Sequence, residues 1–200
     1  MTTIGVLALQ GDFHEHRAAL ARIGIASREI RLADQLDSID GLIISVSTET
    51  KDFSYLKELH SKGMPIVFFD RIVNEIDTHK VIADNYKGAY DATTHLIKSG
   101  YHRIAAVSNP ALLSITVERL AGYKAALADN GIAIDESLIK YCQHGGMIVT
   151  EVEEVVKELF ELHQKPDAIF ASADKLTPGC LRIIRTMGLK VPDDIGFIGF

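Results

Sequence analysis

The sequence predicts an α/β protein built on parallel sheets with helices on both faces. Three observations carry that expectation. Short apolar runs alternate with longer amphipathic stretches along all 200 residues. The runs are continuous in Val, Ile, Leu and Phe rather than alternating, as strands covered on both faces require. Glycine follows helix-length segments at Gly24, Gly63, Gly100, Gly131 and Gly188, where a left-handed residue closes a helix. Together these features describe βαβ units and parallel strands.

In chain order, a strand at Ile4–Leu9 leads into a helix at Phe13–Ile23, with Asp12 placed to cap it. Strands follow at Ser27–Arg31 and Gly41–Val46, then a helix at Phe53–Lys62 and a strand at Pro65–Asp70. The connection Arg71–Lys80 is weakly patterned and leads to a strand at Val81–Asp84. The second half repeats the rhythm: helix Lys87–Ser99, strand Arg103–Ser108, helix Thr116–Asn130, strand Leu138–Cys142, helix Thr150–His163. It ends with strand Ala168–Ser172, helix Pro178–Met187 and strand Ile195–Phe200. Helix Thr150–His163 carries Val152, Val155, Val156, Leu159 and Phe160 on one stripe and Glu151, Glu154, Lys157, Glu158 and Glu161 on the other face. Thr150 is placed to cap it. A crossing between two lobes is expected near Asp84-Asn85, giving an N-terminal lobe over 1–84 and a C-terminal lobe over 85–200.

Composition narrows the function. The chain is 47% hydrophobic and 24% charged, with a net charge of -6. It has no basic stripe of the kind that meets phosphates, so a nucleic-acid partner is not expected. No apolar run approaches a membrane span, and the N-terminus lacks a signal-peptide pattern. The two cysteines, Cys142 and Cys180, are neither paired as C-x-x-C nor spaced as metal ligands. A reduced, cytoplasmic setting and no cofactor or metal are therefore expected.

Polar residues at strand ends are the site candidates. Gln10-Gly11 lacks dinucleotide-site spacing and reads as a tight turn. Asp12, His14, Glu15 and His16 read as a helix cap and an exposed first turn, since His14 and His16 do not share a helix face. Asp70, Arg71, Asp84, Asn85 and Asp174 stand where α/β folds bind ligands; capping alone equally accounts for Asp84, Asn85 and Asp174. Cys142 and His144 share one face of a strand, so a nucleophile pair there is open to inspection.

The string Ile4-Gly5-Val6-Leu7-Ala8-Leu9-Gln10-Gly11-Asp12-Phe13-His14-Glu15-His16, with Asp40-Gly41-Leu42-Ile43-Ile44, resembles the start of the glutaminase subunit of pyridoxal 5'-phosphate synthase. That family is a class I glutamine amidotransferase with a flavodoxin-like fold. Its Gly-flanked cysteine turn has no counterpart here. From Asp40 onward the strings Pro65-Ile66-Val67-Phe68-Phe69-Asp70-Arg71, Asp84-Asn85-Tyr86-Lys87-Gly88-Ala89, Glu118-Arg119-Leu120-Ala121-Gly122-Tyr123 and Val191-Pro192-Asp193-Asp194-Ile195-Gly196 resemble the effector-binding region of LacI-type regulators. That resemblance implies a periplasmic-binding-protein-like I fold of two lobes. It also implies effector contact by Arg119, whose guanidinium fork suits sugar hydroxyls or carboxylates; an alternative is a structural pair with an acid such as Glu118.

These two resemblances set the expectation of an engineered chimera, with residues 1–46 glutaminase-like, residues 40–200 LacI-like and a seam near 40–46. Such a scaffold would not be an enzyme and would keep no native activity. The alternatives are a protein with remaining sugar or purine effector binding and, third, a glutamine amidotransferase using Cys142. The ligand-binding residues expected are Arg119, Asp70, Asn85 and Asp174, with a small-molecule effector, no nucleic acid through a DNA-binding headpiece, no membrane, and a homodimer as the partners. Missing recrossing segments between the lobes would loosen the hinge and expose apolar surface, which favours the dimer.

Overall fold

The computed structural model describes residues 2–7, 13–46, 52–110 and 114–200. The chain divides into two units, Met1–Ala83 and Asp84–Phe200. Gln10, Gly11 and Asp12 lie outside the described residues, so their expected turn and cap are not addressed.

The first unit holds strands β1 (Thr3–Leu7), β2 (Ala26–Ile30), β3 (Gly41–Ile44), β4 (Ile66–Phe69) and β5 (His79–Val81), with helices α1 (Phe13–Arg22) and α2 (Ser54–Ser61). All pairings are parallel, in the order β2-β1-β3-β4-β5. This is the flavodoxin-like order. The register sets Leu42 beside Ile66 and Ile44 beside Phe68. Those four side chains and Leu56 of α2 form one buried cluster. The alternate residues Ile43, Val67 and Phe69 point to the other face and stay only half-buried. Helix α1 lies on that face, where the His16 ring meets Phe69 at 4.5 Å. None of its residues is fully buried.

The second unit holds α3 (Asn85–Lys98), β6 (Ile104–Ser108), α4 (Ser114–Asp129), β7 (Ile139–Tyr141), α5 (Val149–Glu161), β8 (Ala168–Ala171), α6 (Leu176–Thr186) and β9 (Gly196–Gly199). Its parallel sheet runs β7-β6-β8-β9, the same order read within the unit. Both faces are closed. Ala105, Val107, Ile169 and Ala171 pack against Val152, Val156, Leu159 and Ile184 of α5 and α6. Ile104, Ala106, Ala168 and Phe170 pack against Ala89, Leu96, Leu120 and Tyr123 of α3 and α4. Each large side chain fully buried in this way contributes about 1.5–3 kcal/mol.

The five helix-closing glycines all adopt positive φ, between 71° and 96°. Other expectations shift. The strand expected at Val81–Asp84 is His79–Val81, because Asp84 caps α3 by accepting the Lys87 amide at 2.9 Å. Val73 and Ile76 are core residues, so the weakly patterned 71–80 stretch is packed rather than merely connecting. Helix α5 starts at Val149, one residue before Thr150, and no side chain caps it. Helix α6 starts at Leu176 and is likewise uncapped by any side chain, so Asp174 does not cap.

Arg103 and Asp167 pin the amino-terminal edge of the second sheet. Asp167 accepts the His102 and Arg103 amides at 2.8 and 2.9 Å, and Arg103 donates to Asp135 at 2.9 Å. Hydrogen bonds from the Ser137 hydroxyl and amide, then from Arg103, hold the Asp135 carboxyl below the usual carboxylate range. A depressed carboxylate stabilises the fold above its unfolded pKa and loses that effect as pH falls through the folded value. The urea midpoint is therefore expected to drop on acidification below the ordinary carboxylate range. Asp135→Asn removes part of that slope, as equilibrium unfolding at several pH values measures.

Candidate functional site

In open α/β sheets, ligands gather at the carboxyl ends of strands where the strand order reverses. In the second unit that point lies between β6 and β8. Ser108 ends β6 and Ser172 follows β8, and the buried Ser172 hydroxyl donates to Ser108 Oγ at 2.7 Å. The Ser172 backbone continues the ladder, donating from its amide to Val107 O at 2.9 Å.

Arg119 reaches this point from α4. Its Nη1 donates to the Ser172 carbonyl at 2.7 Å, and its Nε donates to Asn85 Oδ1 at 3.0 Å. The guanidinium carbon stands 3.7 Å from the centre of the Phe200 ring at the end of β9. A cation over an aromatic face at this range is attracted by the ring quadrupole. Asn85, only 2% exposed, spends its amide nitrogen on Glu118 Oε2 at 3.1 Å. Glu118, expected as an acid beside Arg119, thus accepts from the residue that orients Arg119. Asn85 is the first residue of α3, so the start of that helix fixes where its Oδ1 meets Arg119.

Asp174 follows Ser172 by two residues. It is exposed, and its side chain makes no hydrogen bond or ion pair among the described residues. Arg119, Asn85 and Ser172 are therefore brought together, with Asp174 on the same β8–α6 connection. Ser108, Ser172 and Phe200 were not among the expected site residues. A serine closing an apolar strand is a weak signal, and nothing local in the sequence aims Phe200 at a helix 81 residues earlier.

Asp70 belongs to the first unit. It follows β4 at φ 56°, a left-handed conformation uncommon for a residue with a β-carbon. Its Oδ2 lies 3.6 Å from Arg71 Nε, close enough for an ion pair but beyond a hydrogen bond. That Nε is buried and makes no hydrogen bond among the described residues, and the same holds for Ser45 Oγ after β3. The backbone joins the two, since the Val46 amide donates to Arg71 O at 3.1 Å. Buried polar atoms of this kind are costly without a partner.

The thiols point away from catalysis. Burial pushes Cys142 up to about 12, and Cys180 likewise to about 12. A nucleophilic cysteine needs the opposite shift. His144 turns instead to Glu151, with Nδ1 at 3.4 Å from the carboxylate. Among the described residues no group of three or more His, Cys, Asp or Glu could hold a metal ion. No helix of the described residues is long and apolar enough to cross a membrane.

Comparison with known proteins places this geometry. The sequence profile of the family described as periplasmic binding proteins and sugar binding domain of LacI family matches residues 18–199. The HTH-type transcriptional regulator CelR of Thermobifida fusca is 34% identical over 144 residues, 71% of this chain and 42% of that protein. The HTH-type transcriptional repressor CytR of Escherichia coli is 30% identical over 162 residues, 81% of this chain and 46% of that protein. The chain spans about half the length of the curated relatives it matches. Among solved structures, a sugar-binding LacI-family transcriptional regulator from Escherichia coli complexed with phosphate superposes with a TM-score of 0.79 at 25% identity, covering 99% of this chain and 77% of that one. A CelR–cellobiose complex gives 0.78 at 25% identity, covering 98% and 66%.

These matches overturn the expected chimera. The family profile runs from residue 18 through the supposed seam at 40–46 without a break, and the structural superpositions take in the first unit as well. No separate glutaminase-like segment remains to be explained. The misleading resemblance has a physical root. A glycine-bearing apolar strand running into a helix, and a second buried strand at Asp40–Ile44, are what any parallel βαβ unit presents. The relatives named here are transcriptional regulators, not amidotransferases.

Proposed function

From the membership of this chain in the family of periplasmic binding proteins and LacI-type sugar-binding domains, we propose that it is the effector-binding part of a transcriptional regulator and takes a small polyhydroxylated ligand. The observation that carries this reading is Arg119, held by Asn85 and the Ser172 carbonyl at the point where the second sheet reverses its strand order. A guanidinium fixed in this way meets hydroxyl oxygens with a preset fork and loses little side-chain freedom on binding. Asp174 supplies an exposed acceptor on the adjacent connection. Asn85 acts through Arg119 rather than by touching ligand.

Calorimetric titration with cellobiose, ribose, adenosine and inorganic phosphate tests the reading. At least one of the organic ligands is expected to bind. Arg119→Met should weaken that binding about ten- to a hundredfold, the worth of one hydrogen bond to a charged group. Arg119→Lys keeps the charge and loses the fork, so it should fall nearer the Met variant than the parent. Equal affinity in the parent and Arg119→Met, with both folded by circular dichroism, would overturn the assignment, as would the failure of all three organic ligands.

A further inference from the structure

The loop after β7 is drawn onto the loop after β8. Gly145 and Gly146 both take positive φ, 62° and 83°. A β-carbon on Gly146 would stand 3.0 Å from the Lys175 carbonyl carbon and oxygen, so the two backbones touch. The loop is held from its other side as well, because Glu151 accepts the Gln143 and His144 amides at 2.5 and 3.2 Å. This arrangement brings the Met147 sulfur to 3.7 Å from Lys175 Nζ. Met147 is 69% exposed, against 38% for Met187. Met64 is partly buried against the core of the first unit.

We propose that Met147 is the oxidation site of this protein toward peroxides, with Lys175 as the group that selects it. In the step, the sulfur attacks one peroxide oxygen and the O–O bond breaks. The departing oxygen takes a proton from the Lys175 ammonium and leaves as water. The proton on the new S–O group returns to Lys175, leaving a sulfoxide. Sulfur is oxidised by two electrons and the peroxide is reduced by two. The contact favours the reaction because a thioether is a weak acceptor and a sulfoxide oxygen a strong one. Its second lone pair leaves the sulfur nucleophilic while the ammonium stabilises charge on the departing oxygen. The modification places a polar group, hydrogen-bonded to Lys175, at the carboxyl edge of the second sheet. It stands independently of which ligand that edge binds.

The test uses the full chain, hydrogen peroxide, and peptide mass spectrometry over time. Exposure alone predicts less than a twofold preference for Met147 over Met187. The Lys175 contact should raise it to about fivefold or more. Lys175→Gln should return the ratio to the exposure value while the Met187 rate, measured in the same digest, stays unchanged. A Met147-to-Met187 ratio near two in the parent, or a ratio unmoved by Lys175→Gln, overturns the proposal.

Discussion

Gly122→Ala is expected to destabilise the second unit by about 3 kcal/mol or more, although alanine is the better helix former. The two effects oppose each other, and their sizes decide the sign. Replacing glycine in a helix interior gains roughly 1 kcal/mol of propensity. Against that, a β-carbon at Gly122 would stand 2.2 Å from the Tyr86 carbonyl oxygen and 3.0 Å from the Tyr90 amide nitrogen. Those are backbone atoms of α3, and no rotamer change moves them. Relief requires α3 and α4 to separate, which opens the cluster of Ala89, Leu96, Leu120, Tyr123 and Leu127. Gly179→Ala in α6 is the matched control. Its β-carbon meets Val152 Cγ1 at 3.2 Å, a side-chain methyl that can give by a few tenths of an ångström. Urea unfolding followed by circular dichroism should therefore show a large loss for Gly122→Ala and a change within about 1 kcal/mol for Gly179→Ala. Equal losses would mean that helix approach is not what Gly122 serves.

The sheets were legible in the sequence because their signals are local. A continuous apolar run such as Ile104–Val107, short and bounded by turn signals, suits a strand covered on both faces, and the structure buries all of Ile104–Ser108. Gly100 and Gly188 mark helix ends because only a left-handed residue closes them cheaply. Boundaries moved where a helix cap claimed a residue read as strand, as when the Asp84 carboxylate accepts the Lys87 amide and so belongs to the start of α3. The site was legible only in part. Arg119 was identified through resemblance, but its hold depends on a carbonyl 53 residues away and a ring 81 residues away. Ser108 and Ser172 meet across two strands whose adjacency is set by sheet order, which periodicity does not encode. The supposed seam failed for the converse reason. Its strings were specific to a local βαβ shape, and a local shape is shared by unrelated families.

Phe170→Ala should cost about 4 kcal/mol and should also weaken ligand binding, although Phe170 has no exposed surface. Its ring lies nearly parallel to Tyr123 at 6.1 Å, and the Tyr123 hydroxyl donates to Ile104 O at 2.7 Å. Burial raises the Tyr123 phenol well above its ordinary range. Truncating Phe170 leaves a cavity beside this ring, and packed interiors collapse onto cavities only in part. The loosened site should let Tyr123 ionise at lower pH, which ultraviolet absorbance follows directly. Tyr123 is one helical turn beyond Arg119 on α4, and Ser172 is two residues beyond Phe170 on the same strand path. Movement of α4 against β8 therefore lengthens the Arg119–Ser172 contact that fixes the guanidinium. Phe170→Leu keeps most of the volume and should cost under about 1.5 kcal/mol, with binding nearly intact. If the leucine and alanine variants lost stability and affinity alike, packing volume beneath α4 would not be what holds Arg119 in place.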